Sequence, residues 1–239
     1  FTIRFRGDIE TGDTSQSSWE IDCALLHTWD NTEPQNNGAP LVSNIDDSSF
    51  MYAEYRQYQI SVDASDSDGY SDIDYLDLTL TSNDRITEYW TIRFDEDTNI
   101  FSEQSDSNDY IVLDDVSSSA DKIGNTISAT FYITINWNHP DMVDTDAKCT
   151  VTDSNPSSDT DYYEVNWDIE TRLDLSVGPT LNDGVGTTNR GDIDGSLTAS
   201  GTAAYLGSTL HPSASAIDIW ITSSEYGFHV GPWQATNYE

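Results

Sequence analysis

Four carboxylates fall within ten residues at Asp63, Asp66, Asp68 and Asp72, and Gly69 among them can supply a tight turn. Calcium takes about six to eight hard oxygen ligands, and a loop of spaced Asp residues offers such oxygens. The spacing departs from the EF-hand loop, because no Glu stands at the twelfth place to close the site with both its oxygens. Calcium is therefore the candidate cofactor at these four residues, and a solvated acidic turn is the bland alternative.

Other chemistry is sparse. His27, His139, His211 and His229 are scattered, with no acid or cysteine at ligand spacing, so they read as surface or packing residues. Cys23 and Cys149 do not make a disulfide framework or a zinc motif and read as two free thiols. No nucleophile elbow, zinc-protease helix or phosphate-binding Gly loop occurs. With 43 acidic residues in the chain, any pair chosen for glycoside hydrolysis is uninformative. Two Arg-Gly-Asp triplets, Arg6-Gly7-Asp8 and Arg190-Gly191-Asp192, have a sufficient role as turn formers. The chain reads as non-catalytic.

Nine basic residues against 43 acidic ones give a formal charge of -34, and only Lys122 and Lys148 are lysines. A nucleic-acid or anionic-membrane partner held by counterion release needs clustered Lys and Arg, so both are excluded. Acid on this scale would read as disorder, except that an aromatic content of 11% belongs to a folded chain. The acid must coat a folded surface, where self-repulsion is relieved by high salt or bound divalent cations. No apolar run approaches the roughly 20 residues that span a bilayer, and no basic-then-apolar signal opens the chain. An initial Phe1 without the long apolar helix of a type IV pilin reads as a processed piece of something larger. No Asn-x-Ser/Thr acceptor occurs, since Pro156 blocks the one near miss.

The elements that position these residues are strands. Alternation of period two recurs from end to end, with no sustained 3.6 period. It places Trp19, Ile21, Cys23 and Leu25 on one face; then Tyr58, Ile60 and Val62; Leu76, Leu78 and Leu80; Trp90, Ile92 and Phe94. Later come Ile127 through Trp137, Tyr163 through Ile169, and Ile217, Ile219 and Ile221. One apolar and one polar face per strand predicts an all-β fold of antiparallel sheets packed as sandwiches. Ser/Asp/Asn/Gly clusters such as Asp153 to Asp161 read as loops. The Trp residues of the alternating strands read as core.

Boundaries fall at Asn31 to Pro40 and at Val177-Gly178-Pro179. Residues 39–177 form one complete sandwich, and residues 178–239 hold too few strands to close another. Residues 1–38 carry strands without a home, so Phe1, Ile3, Phe5, Trp19, Ile21 and Leu25 are the predicted interface that completes the C-terminal module, from the same copy or a neighbouring one.

The run from Val62 to Ile73, followed by the Leu76/Leu78/Leu80 strand, resembles a turn of tandem immunoglobulin-like repeats in prokaryotic extracellular surface proteins. The stretch Gly201 to Ser208, with Pro212 and the Ile217 to Ile221 strand, is similar to the opening of another such repeat. The resemblance implies two immunoglobulin-like or cadherin-like β-sandwich modules, of the kind that adhesins, stalks, S-layers and fibres repeat. The expected function is a structural subunit or repeat of an extracellular filament, sheath, stalk or S-layer at a cell surface, with copies of itself as partner. The alternative is an adhesive or carbohydrate-binding module, with a polysaccharide as partner and Trp29 and Trp233 as its exposed aromatics.

Overall fold

The computed structural model describes residues 31–182, 198–213, 217–223 and 228–234. The chain divides into two units, Phe1–Asp30 and Asn31–Glu239, and the described residues belong to the second.

The described residues are almost wholly β. The strands are β1 (Gln35–Asn36), β2 (Leu41–Val42), β3 (Phe50–Tyr52), β4 (Tyr58–Ser65), β5 (Ile73–Thr81), β6 (Glu88–Asp95), β7 (Ile100–Ser105) and β8 (Ile111–Leu113). They continue as β9 (Ser119–Ile123), β10 (Thr126–Ile135), β11 (Met142–Asp153), β12 (Ser158–Glu170), β13 (Leu173–Asn182), β14 (Thr198–Tyr205), β15 (Asp218–Ser223) and β16 (Phe228–Gln234). A single 3-10 turn, Tyr70–Asp72, is the one helical element described. No described helix is long and apolar enough to cross a membrane.

Two six-stranded sheets carry the fold. In the first, β4 and β10 lie side by side in the middle, and each outer lane is split between two short strands. β1 and β2 pair with opposite ends of β4, and β8 and β9 with opposite ends of β10. The second sheet runs β3-β12-β11-β5-β6-β7 and is antiparallel except for β3, which joins β12 in parallel. The alternation in the sequence is the cause. Tyr58, Ile60, Val62 and Ala64 turn inward from β4, and Ile127, Ala129, Phe131, Ile133 and Ile135 from β10. They meet Leu76, Leu78 and Leu80 of β5 and Trp90, Ile92 and Phe94 of β6 in one core. Phe101 of β7 meets the Phe131 ring edge to face across the core at 5.3 Å. Each Val, Leu, Ile or Phe among them contributes about 1.5–3 kcal/mol by leaving water, so the two sheets form a sandwich held by this layer.

Strand pairing extends across both expected boundaries. Asn36 of β1 pairs with Ala64, ahead of the expected start at residue 39. At the other end β13 runs straight through Val177-Gly178-Pro179 in pairing with β14, and the Gly-Pro step appears as register shifts on either side of Val177. Proline donates no N–H to a ladder, so pairing skips there without ending. The expected loop Asp153 to Asp161 shrinks to residues 154–157 between β11 and β12. The sandwich holds more strands than the seven to nine, roughly, of immunoglobulin domains. An all-β, antiparallel sandwich is thus the description that the sheets support. After it, β13-β14 and β15-β16 are each two-stranded among the described residues.

Tyr205, at the end of β14, is fully buried against the sandwich. Its ring packs on Tyr52 at 4.6 Å and stacks on Trp137 at 5.8 Å, with Tyr55 edge-on at 6.0 Å. Ser208 in the following turn donates to Asp47, which also accepts from the Tyr52 hydroxyl, both at 2.7 Å.

Candidate functional site

The acidic turn is built where β4 passes into β5. Gly69 holds φ +117°, a left-handed value that costs a side-chain-bearing residue strain, and this folds the chain back through the turn Tyr70–Asp72. The turn is tied to its neighbours by Asp66 N–H donating to Asn125 O at 2.9 Å and Tyr70 N–H to Gly124 O at 3.2 Å. Asp68 N–H donates to Oδ1 of Asp66 at 2.7 Å, a local Asx bond that turns the two carboxylates together.

Carboxylate oxygens of Asp66, Asp68 and Asp72 all lie within 4.8 Å of one another. The fourth residue of the expected set, Asp63, is not with them: it points out from β4 and accepts a hydrogen bond from Ser128 across the β4-β10 pair. Alternation explains the separation, since residues of odd offset along a strand face opposite sides.

The cluster gains a neighbour that spacing did not reveal. Asp153, buried at the end of β11, lies close enough to push the Asp66 carboxyl up. Burial is the main cause of that upward shift; the charges of Asp72, Asp68 and Asp153 add to it, and the Asp68 N–H opposes it. Both oxygens of Asp153 are occupied. Oδ1 accepts from the N–H groups of Asn155 and Ser157 at 2.9 Å, and Oδ2 from Asn31 Nδ2 at 2.7 Å. Asp72 accepts from Ser154 at its carbonyl (2.8 Å) and at Oδ1 (2.7 Å), and Asp68 Oδ2 accepts from Thr32 N–H at 2.8 Å. Three segments distant in sequence, 31–32, 66–72 and 153–157, therefore converge at one end of the sandwich.

No Lys or Arg among the described residues reaches them. All six described basic residues are paired elsewhere: Arg56 with Asp46, Arg85 with Asp146, Arg93 with Asp77, Lys122 with Glu96, Lys148 with Glu88, and Arg172 with Asp141 and Glu170. Arg93 adds the face of Tyr75 at 3.5 Å, a cation–π contact on the outer side of the second sheet.

His139 is buried with Nδ1 2.8 Å from the Pro140 carbonyl, and His211 Nδ1 lies 2.6 Å from the Ala203 carbonyl. Cys149 is a buried free thiol. Trp90 and Trp167 are buried and Trp137 is half-buried, as core positions should be. The predicted interface residues Phe1, Ile3, Phe5, Trp19, Ile21 and Leu25 lie outside the described residues, as do Cys23, His27, Trp29 and both Arg-Gly-Asp triplets.

No protein-family model matches this chain, and no curated protein does. Among solved structures it is similar to a DUF4466 family protein from Parabacteroides merdae, with a TM-score of 0.31 and 8% identity over 72% of this chain and 56% of that one. It is also similar to BcpA, the major pilin subunit of Bacillus cereus, with a TM-score of 0.28 and 10% identity over 87% of this chain and 65% of that one. This chain spans less than two thirds of either, and at these TM-scores neither likeness bears on function.

Proposed function

We propose that this chain is a non-catalytic structural subunit or repeat of an extracellular filament, sheath, stalk or S-layer at a cell surface, and that its partner is another copy of itself. The observation that carries the reading is the contrast between the two parts of the described chain. The sandwich is complete, with a continuous core, whereas β13-β14 and β15-β16 have only two strands each. A two-stranded sheet is marginal in water by itself and presents unpaired edges. The alternating segments Phe1 to Phe5 and Trp19 to His27 each carry an apolar face that an open sheet edge could take up, and strand addition would join them through main-chain hydrogen bonds. Supplied by a neighbouring copy, these strands would link subunits in series. The acidic coat keeps the remaining surface soluble and unreactive toward nucleic acid.

The test is electron microscopy of the purified full chain beside a variant lacking residues 1–27. Ordered polymers that disappear on deletion support the reading. Monodisperse particles from the intact chain, or polymers that survive the deletion, overturn it. A saturable tryptophan-fluorescence shift with a polysaccharide, without polymers, would favour the adhesive module instead.

A further inference from the structure

Asp66 is 2% exposed, and its Oδ2 has no hydrogen-bond partner. Its other oxygen takes the Asp68 N–H, so a carboxylate that shares one small space with those of Asp68 and Asp72 keeps a buried oxygen unsatisfied, with no cation among the described residues to meet it. A buried carboxylate is costly unless it is paired or coordinates a metal. Protonation would relieve the charge of one group but would leave the neighbouring Asp68 and Asp72 converging on the same point.

From this geometry we infer that Asp66, Asp68 and Asp72 bind one calcium ion. The donors are all oxygens, which suit a hard divalent cation rather than zinc or copper. Oxygens on opposite sides of one calcium lie about 5 Å apart, twice its usual bond length, and the three carboxylates meet within 4.8 Å. Water completes the coordination on the exposed side, where Asp68 sits. Asp153 belongs to the surroundings, not to the ligands, because both its oxygens are committed to Asn31, Asn155 and Ser157. Its negative charge strengthens the field at the ion. Through Thr32 N–H on Asp68 and Ser154 on Asp72, the ion clamps the segment entering the sandwich and the β11-β12 turn to the β4-β5 turn. The site lies within the sandwich and is independent of whether copies assemble.

The experiment is thermal unfolding and calcium titration of the full chain, as wild type, D66N, D68N and D115N. Asp115 is an exposed acid outside the cluster, so D115N controls for the loss of one negative charge. Calcium chloride should raise the wild-type and D115N melting temperatures by several degrees over the same protein in chelator, with saturation. D66N and D68N should weaken calcium binding by at least about tenfold, since ligand number and charge set affinity, and should lose the shift. In chelator D66N should melt no lower than wild type, because Asn removes a buried charge and keeps an acceptor for the Asp68 N–H. D68N keeps the test open should D66N fold poorly. A wild type indifferent to calcium, or a D68N shift equal to that of wild type, overturns the site.

Discussion

The hydroxyl of Tyr205 donates to the carbonyl oxygen of Ala53 at 2.5 Å, from a side chain with no solvent exposure. This bond, with the rings of Tyr52, Tyr55 and Trp137 around it, joins the β13-β14 pair to the sandwich. Y205F should cost about 1 kcal/mol through the lost hydrogen bond, and Y205A about 3–5 kcal/mol through the cavity left by the ring. Denaturant midpoints read both values. Limited proteolysis should then open the segment after Glu170 first in Y205A. A Y205A variant as stable and as resistant as wild type would refute the anchoring role.

His139 links stability to pH. Burial holds its pKa below the usual 6.5, outweighing the upward pull of the Pro140 carbonyl and of Asp106 and Asp141. Its ring lies among Tyr110 and Tyr89, and Nε2 has no partner to share a proton with. A base with a depressed folded pKa binds fewer protons folded than unfolded, so its contribution is present above the unfolded value near 6.5 and is lost as pH falls below it. Unfolding free energies of wild type should therefore drop more steeply than those of H139Q between pH 7 and pH 5. Parallel curves would show that His139 carries none of the dependence.

Cys149 should be inert in the folded chain. Burial pushes its thiol up to about 12, with Asp161 adding to the shift, and the thiolate is the reactive form. Alkylation at pH 8 followed by mass spectrometry of peptides should leave Cys149 unmodified in the native protein and modified after denaturation. Labelling of native Cys149 within minutes would contradict its placement.

Much of the sandwich was legible because its strands have one wet face. Leu76, Leu78 and Leu80, or Trp90, Ile92 and Phe94, announce themselves by alternation and are buried together. β11 did not, although it is central to the second sheet. Its sequence is polar at Asp144 and Lys148, and a bulge near Thr145 breaks the period. The site divides similarly. Asp66, Asp68 and Asp72 share one turn, so sequence spacing brought them together. Asp153 reaches them only through the pairing of β11 with β5, a long-range relation without local signal, and Asp63 was included because spacing along the chain does not record which face a strand residue takes. Tyr205 was hidden for a further reason, since a lone aromatic after a Gly/Ala run gives no sign of the surface that receives it.

The edges of the first sheet impose a restriction on how copies can crowd together. Its inner strands β4 and β10 run eight and ten residues, yet each outer lane is broken between two short strands, β1 and β2 on one side and β8 and β9 on the other. Short, interrupted edges do not template a long ladder with another chain. Even at high concentration, copies can lie edge to edge along this sheet without zipping into amyloid-like ribbons.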